Sequence, residues 1–124
     1  MDEIRIALFG FVGGLLRYMV IGYFINHSTV LGTLIINLIG CFCLGLVNHF
    51  LALQERIPAT ITLAIGTGLI GAFTTFSTFT YDIFNLIQQG HYLDAFSYLL
   101  SSIILGLVMS YLGVVLGDNL RKKV

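Results

Sequence analysis

The hydrophobic pattern divides the 124-residue chain into four long apolar runs separated by short polar connectors. The runs cover about 4–25, 30–53, 57–87 and 93–116. Each reaches the roughly 20 residues that a helix needs to cross a bilayer core of about 30 Å. The connectors at 26–29, 54–56 and 88–92 are short enough to make successive helices antiparallel. The pattern predicts an all-α integral membrane protein, with residues 1–124 forming one four-helix membrane domain. No internal repeat or low-complexity segment interrupts it. Pro58, the only proline, opens the third run, where its missing N–H costs nothing.

The third run is the anomalous one. As a straight helix it would measure about 46 Å at about 1.5 Å per residue, well over the bilayer core. Gly66, Gly68 and Gly71 lie inside it. The hydroxyl residues Thr74, Thr75, Ser77, Thr78 and Thr80 follow, interleaved with Phe73, Phe76 and Phe79. Glycine relaxes the backbone, so this composition predicts a break mid-membrane at 71–79. Non-helical backbone at that depth is tolerated where it is buried in protein or lines a polar cavity. The plainer alternative is one tilted helix that uses Gly and Thr for packing.

The other runs carry their polar residues sparsely. The first has Gly10, Gly13 and Gly14, which permit close helix approach, and one deep charge, Arg17. An intramembrane charge marks a functional site or a pairing by default. The alternative is a side chain that snorkels to the interface beside Tyr18. In the second run Thr33 and Asn37 share a helix face, with Gly40 nearly on it. Asn37 reads either as interhelical glue worth about 1 kcal/mol or as a donor aimed into a cavity. Asn48 and His49 read as interfacial. The fourth run spaces Tyr98, Ser102, Gly106 and Ser110 at i+4, with Gly113 and Gly117 beyond. Small residues alone would suit a packing seam, but a tyrosine at the head of the stripe brings bulk and a donor.

Composition narrows the chemistry. The chain is 57% hydrophobic and 10% charged, with zero formal net charge. Soluble domains are nearer 25% charged, so no separate soluble domain is expected, and no nucleic-acid partner. The opening Asp2-Glu3 lacks the basic start of a secretory signal. Cys41 and Cys43 point about 200° apart on a helix and cannot pair with each other. They read as small packing residues. His27, His49 and His91 lie in or near connectors without metal spacing. Neither an acidic residue in mid-membrane nor a nucleophile with its base is evident, which argues against a cation-coupled transporter and against an enzyme. Asp82 lies toward the end of the third run. What remains is a set of neutral donors, Thr33, Asn37, Thr74, Thr75, Ser77, Thr78, Tyr98, Ser102 and Ser110, with the single cation Arg17. That set suits an anion, and the positive edges of phenylalanine rings add to it.

Three stretches together resemble the Fluc (CrcB) family of fluoride channels. Gly71-Ala72-Phe73-Thr74-Thr75-Phe76-Ser77-Thr78-Phe79 resembles the family's signature. Gly32-Thr33-Leu34-Ile35-Ile36-Asn37-Leu38-Ile39-Gly40 is similar to its second-helix motif, and Gly13-Gly14-Leu15-Leu16-Arg17-Tyr18 to its first-helix motif. Length, four spans and motif order agree, so the resemblance covers essentially the whole chain.

The resemblance implies an antiparallel, dual-topology-type dimer with two fluoride pores, each lined by both subunits. It places Phe76, Phe79 and Asn37 in the pore, Tyr98 and Ser102 on a polar track, and Ser77 and Thr78 between the rings. It implies a structural sodium ion at the dimer axis, not transported, held by the Gly71 and Thr74 carbonyls. Arg17 matches the family's first-helix arginine. Two departures stand out. Gly106 replaces a second serine of the track, which is then either shorter or completed by Ser110. Asp82 replaces a glutamate, with shorter reach. The implied activity is passive fluoride efflux that lowers cytoplasmic fluoride toxicity. A small multidrug-type transporter would need a first-helix carboxylate, which is absent here, and a pore-less structural subunit leaves the hydroxyl cluster unexplained.

Charge predicts the orientation. Arg5, Arg56, Arg121, Lys122 and Lys123 fall on the side of the termini, and no lysine or arginine falls on the other. By the positive-inside rule the termini of this multi-pass cell-membrane protein are cytoplasmic. Such a bias predicts one-way insertion and pairing with a related subunit of opposite bias. A homodimer remains possible in detergent, where insertion no longer constrains the pair.

Overall fold

The computed structural model describes residues 2–24 and 28–123. The end of the first apolar run at Ile25, and Asn26 and His27 of the first connector, lie outside the described residues. Helix α1 is Asp2–Phe24, with Asp2 and Glu3 in its first turn, where acidic groups oppose the helix dipole. Helix α2 is Thr29–Phe50. Ser28 caps it, its hydroxyl accepting from the Leu31 N–H at 3.3 Å. α2 stops short of Leu53. Leu51 to Ile57 form consecutive turns, with Gln54 N–H donating to Leu51 O and Ile57 N–H to Gln54 O, each at 3.1 Å. The following Pro58 biases its predecessor away from helix, so Leu51 and Leu53 are apolar without being helical.

The third span is built in pieces. α3 covers 59–73, comprising a regular Ala59–Leu63, a wide π-type segment Ala64–Ile70, and Gly71–Phe73. Thr74 (ψ 160°) and Thr75 (φ −147°, ψ 119°) are extended. Helix α4, Phe76–Gln88, restarts because the Thr75 hydroxyl caps the Thr78 N–H at 3.2 Å. The extended backbone is therefore narrower than the 71–79 stretch that composition suggests. The glycines act upstream, in the π segment, and Phe76–Phe79 is helical. After α4 the chain turns through Gly90, at φ 79°, the single left-handed residue among those described. The Gly90 and His91 N–H groups close the helix end onto Ile87 O and Leu86 O. Helix α5, Tyr92–Arg121, runs past the apolar pattern, its last turn held where Asp118 meets both Arg121, at 3.7 Å, and His49 of α2, at 3.1 Å. Four spans, Asp2–Phe24, Thr29–Phe50, Ala59–Gln88 and Tyr92–Arg121, are long and apolar enough to cross a membrane. No strand occurs among the described residues.

Glycine sets how these helices pack. On α1, a Cβ at Gly13 would overlap the Leu69 carbonyl, and one at Gly68 would sit 2.6 Å from Ile6 O. α1 is thus in backbone contact with the π segment. On the other side of the molecule, a Cβ at Gly45 would overlap Ser110 O, and one at Gly113 would overlap Phe42 O. A Cβ at Gly117 would meet Leu46 O and His49 Cβ at 3.1 Å. The lower part of the fourth-helix stripe is therefore a packing seam against α2. Small residues bring backbones together in this way where lipid offers no hydrophobic drive. Large apolar side chains point outward instead, as at Phe11, Phe96, Leu107 and Tyr111.

Candidate functional site

One face of α2 organises the polar centre. Thr33, Asn37 and Gly40 follow at i, i+4 and i+7, and each meets a different part of the third span. Gly40 is buried, and a Cβ there would overlap the Thr74 side chain. Asn37 forms a reciprocal clasp on Thr75. Its Nδ2 donates to Thr75 O at 3.0 Å, and Oδ1 accepts from Thr75 N–H at 2.9 Å. Thr33, fully buried, faces Asp82 and Tyr98. So the second-helix face holds both residues of the interruption and the end of α4.

The clasp frees main-chain groups. Within a helix, Thr75 N–H would bond Gly71 O and Thr78 N–H would bond Thr74 O. Here the first goes to Asn37 and the second to Thr75 Oγ1. Gly71 O retains the Thr74 hydroxyl at 3.4 Å, and Thr74 O accepts from Arg17 NH1 at 3.3 Å. Arg17 therefore reaches toward the interruption. It has no carboxylate partner among the described residues. The N-terminus of α4 follows two residues on, at Phe76. A helix N-terminus with an inward arginine is an electropositive, anion-attracting arrangement. Asn37, Gly71, Thr74, Thr75 and Phe76 line a cavity of about 280 Å³ there. The second Nδ2 hydrogen of Asn37 has no acceptor among the described residues.

Aromatic rings and hydroxyls lead away from that point. Phe76 and Phe79 have ring centroids 6.0 Å apart, and Phe79 and Tyr98 5.1 Å. Exposure falls along the row, from Phe76 at 79% to Tyr98 at 5%. Beside the rings, Thr75 Oγ1 lies 3.3 Å from Ser77 Oγ and 3.0 Å from Thr78 Oγ1. Ser102 Oγ donates back to Tyr98 O at 2.7 Å, so its proton is engaged within α5. At the inner end, Thr33 Oγ1, Asp82 Oδ2 and Tyr98 OH are buried without a hydrogen-bond partner among the described residues. Orphaned buried groups in one cluster call for water, an ion or a rotamer change.

Asp82, marked in the sequence only as a departure from the family pattern, joins this cluster. It is 5% exposed and lies next to Thr33 and Tyr98. The signal existed: Thr75, Thr78, Phe79 and Asp82 fall on one helical face. Two track candidates do not join the row. Gly106 is buried, and a Cβ there would stand 3.6 Å from Cys41 Sγ. Ser110 sits in the seam against Gly45, two turns beyond Ser102.

The donor set for a cation can be judged from the freed carbonyls. Gly71 O and Thr74 O have lost their ladder partners, and carbonyl oxygens suit a hard cation. The residues fit such a role, with two limits. One chain supplies two such oxygens, too few to enclose an ion alone. The Arg17 guanidinium also already engages Thr74 O.

Four membrane-length apolar helices that carry a centre of neutral donors define a small multi-pass membrane protein. Comparison with known proteins then makes the assignment specific. Residues 4–114 match the model of the family described as CrcB-like protein, Camphor Resistance (CrcB), and the chain belongs to that family. Its relatives include the Fluoride-specific ion channel FluC 1 of Bacillus cereus, 45% identical over 123 residues, covering 97% of this chain and 90% of the relative. The Fluoride-specific ion channel FluC 2 of Listeria monocytogenes is 44% identical over 118 residues, covering 95% and 92%. That of Ligilactobacillus salivarius, also FluC 2, is 40% identical over 119 residues, covering 96% and 87%.

Proposed function

We propose that this protein is a fluoride-specific ion channel through which fluoride leaves the cell passively, lowering its cytoplasmic toxicity. The observation that carries this reading is the interruption at Thr74–Thr75, where a helix N-terminus, the Asn37 clasp and Arg17 converge without a carboxylate. Family membership and the relatives' activity support it. The four helices act as one domain, and the interruption of the third span lies mid-membrane, lining the path. Fluoride exchanges its hydration shell for closely fitted donors, the general logic of ion filters. Asn37 offers its free Nδ2 hydrogen. Phe76 and Phe79 present ring edges, and Ser77, Thr78, Tyr98 and Ser102 supply the hydroxyl side of the track. Thr33 and Asp82 border Tyr98 at its inner end.

The chain works as an antiparallel dimer. Phe76 is 79% exposed on one chain, and a pore ring needs a second wall. A second copy or a related subunit of opposite orientation supplies it. The same pairing brings four freed carbonyls together, Gly71 and Thr74 from each chain, around a structural sodium ion. That ion would supply fixed positive charge at the axis. The protein sits in the cell membrane with cytoplasmic termini, following its one-sided distribution of lysine and arginine. A small multidrug-type transporter is disfavoured, because α1 carries carboxylates only at Asp2 and Glu3 in its first turn.

The deciding experiment is efflux from fluoride-loaded liposomes, followed with a fluoride electrode. Reconstituted protein should release fluoride rapidly and leave chloride behind. Proteoliposomes that retain fluoride as empty ones do would overturn the assignment.

A further inference from the structure

A cavity of about 320 Å³ lies at the end of the molecule that carries the second connector, bordered by Gln54, Glu55, Arg56 and Arg121. Its two guanidiniums come from elements far apart in sequence, the 51–58 connector and the end of α5. Arg56 has no ion-pair partner among the described residues. Arg121 reaches Asp118 Oδ1 at 3.7 Å, and Asp118 is shared with His49 Nδ1 on α2 at 3.1 Å. The end of α5 is thereby fixed against α2, and Arg121 is held beside the cavity. Lys122 and Lys123 follow directly, both exposed. Leu53 and Leu120, next to the two charged segments, are exposed apolar residues at 52% and 36%. The opposite end of the molecule offers no equivalent, because the 89–91 turn and its flanks carry no lysine or arginine.

We propose that this cavity binds the phosphodiester headgroup of an anionic phospholipid, of the phosphatidylglycerol kind, in the leaflet that faces the termini. A guanidinium presents a planar fork of donors that matches phosphate oxygens, and two from separate elements can clasp one headgroup from both sides. The cavity lies at the ends of membrane-crossing helices, where lipid phosphates are concentrated and basic pockets of this kind recruit them. Leu53 and Leu120 offer the adjoining acyl chains an apolar surface. Glu55 sets the selectivity. One carboxylate beside two guanidiniums leaves a weakly positive cavity, suited to a singly charged diester rather than to a free dianionic phosphate.

The test is native mass spectrometry of the detergent-purified protein, titrated with phosphatidylglycerol or phosphatidylcholine, and read as bound lipid. It does not depend on fluoride flux. Wild-type protein should retain phosphatidylglycerol and not phosphatidylcholine, and millimolar inorganic phosphate should not displace it. Arg56→Gln and Arg121→Gln should each weaken retention about fivefold, the value of one basic group near a membrane surface. Glu55→Gln should strengthen it by a similar factor, a gain that misfolding cannot produce. Equal retention of both lipids, or retention unchanged in both arginine variants and in Glu55→Gln, overturns the proposal. Displacement by inorganic phosphate overturns it too, making the cavity a free-phosphate site.

Discussion

Replacing Asn37 by aspartate changes one atom of the clasp and reverses its electrostatics. In the native protein Nδ2 donates to Thr75 O at 3.0 Å, and Oδ1 accepts from Thr75 N–H at 2.9 Å. Aspartate keeps the acceptor but sets a second carboxylate oxygen against the Thr75 carbonyl. Orphaning a buried carbonyl costs about 1–3 kcal/mol, and this part-buried site lies toward the lower end. The variant should therefore be moderately destabilised yet fold. Its effect on a passing anion is larger. A full negative charge about 5 Å from fluoride, at an effective dielectric of about 20, opposes it by about 3 kcal/mol. At about 1.4 kcal/mol per factor of ten, fluoride occupancy falls by about two orders of magnitude. The assay is electrode-detected efflux from liposomes, with size-exclusion chromatography confirming that the variant is folded. Asn37→Ala is the companion. It orphans both Thr75 groups, costing about 2–4 kcal/mol of stability without adding charge. A folded Asn37→Asp protein with wild-type flux would refute the reasoning, and Asn37 would then be packing glue alone.

Other perturbations probe the remaining parts of the site and its assembly. Phe76→Ile and Phe79→Ile should preserve folding and abolish most flux, and wild-type flux in both would remove the rings from the path. Gly13→Ala drives a Cβ into the Leu69 carbonyl and should cost about 1–3 kcal/mol or prevent folding, as read from the midpoint of thermal aggregation. Gly14→Ala meets nothing within 4 Å inside the protomer, so a loss of dimer on size-exclusion would place that face at the subunit interface. Labelling of a C-terminal cysteine tag in intact cells should occur from the cytoplasmic face only; equal labelling from both faces would mean dual topology and a homodimer in the cell.

How much of this was legible in the sequence depends on which physical signal each residue carries. Helical periodicity alone places Thr33, Asn37 and Gly40 on one face, because residues four and three apart must share it. Their partners are another matter. That Asn37 clasps Thr75 while Gly40 admits the Thr74 side chain depends on where an extended dipeptide falls in another span, and periodicity is silent on that. Glycine is ambiguous for the same reason. Gly68 and Gly13 serve backbone contact between α1 and the π segment, whereas composition alone counts Gly66, Gly68 and Gly71 as evidence for a longer irregular stretch. Threonine carried the sharper signal, since the Thr75 hydroxyl, accepting from the main-chain N–H three residues on, is what caps the restarted helix. The fourth-helix stripe divides in the same way. Tyr98 packs against Phe79 and Ser102 bonds back to Tyr98 O, while Gly106, Gly113 and Gly117 face α2, because a small side chain at i+4 spacing satisfies either role. Asp82 stands out in the sequence only against the family pattern, because its burial beside Thr33 and Tyr98 depends on how other spans pack, yet its spacing from Phe79 and Thr75 puts all three on one helical face. The features no single-chain pattern explains are the exposed Phe76, the freed Gly71 carbonyl and the open face at Gly14. Phe76 keeps an open face beside Phe79, Gly71 O keeps only the Thr74 hydroxyl, and Gly14 meets nothing within 4 Å, so an opposed second subunit would complete all three at once.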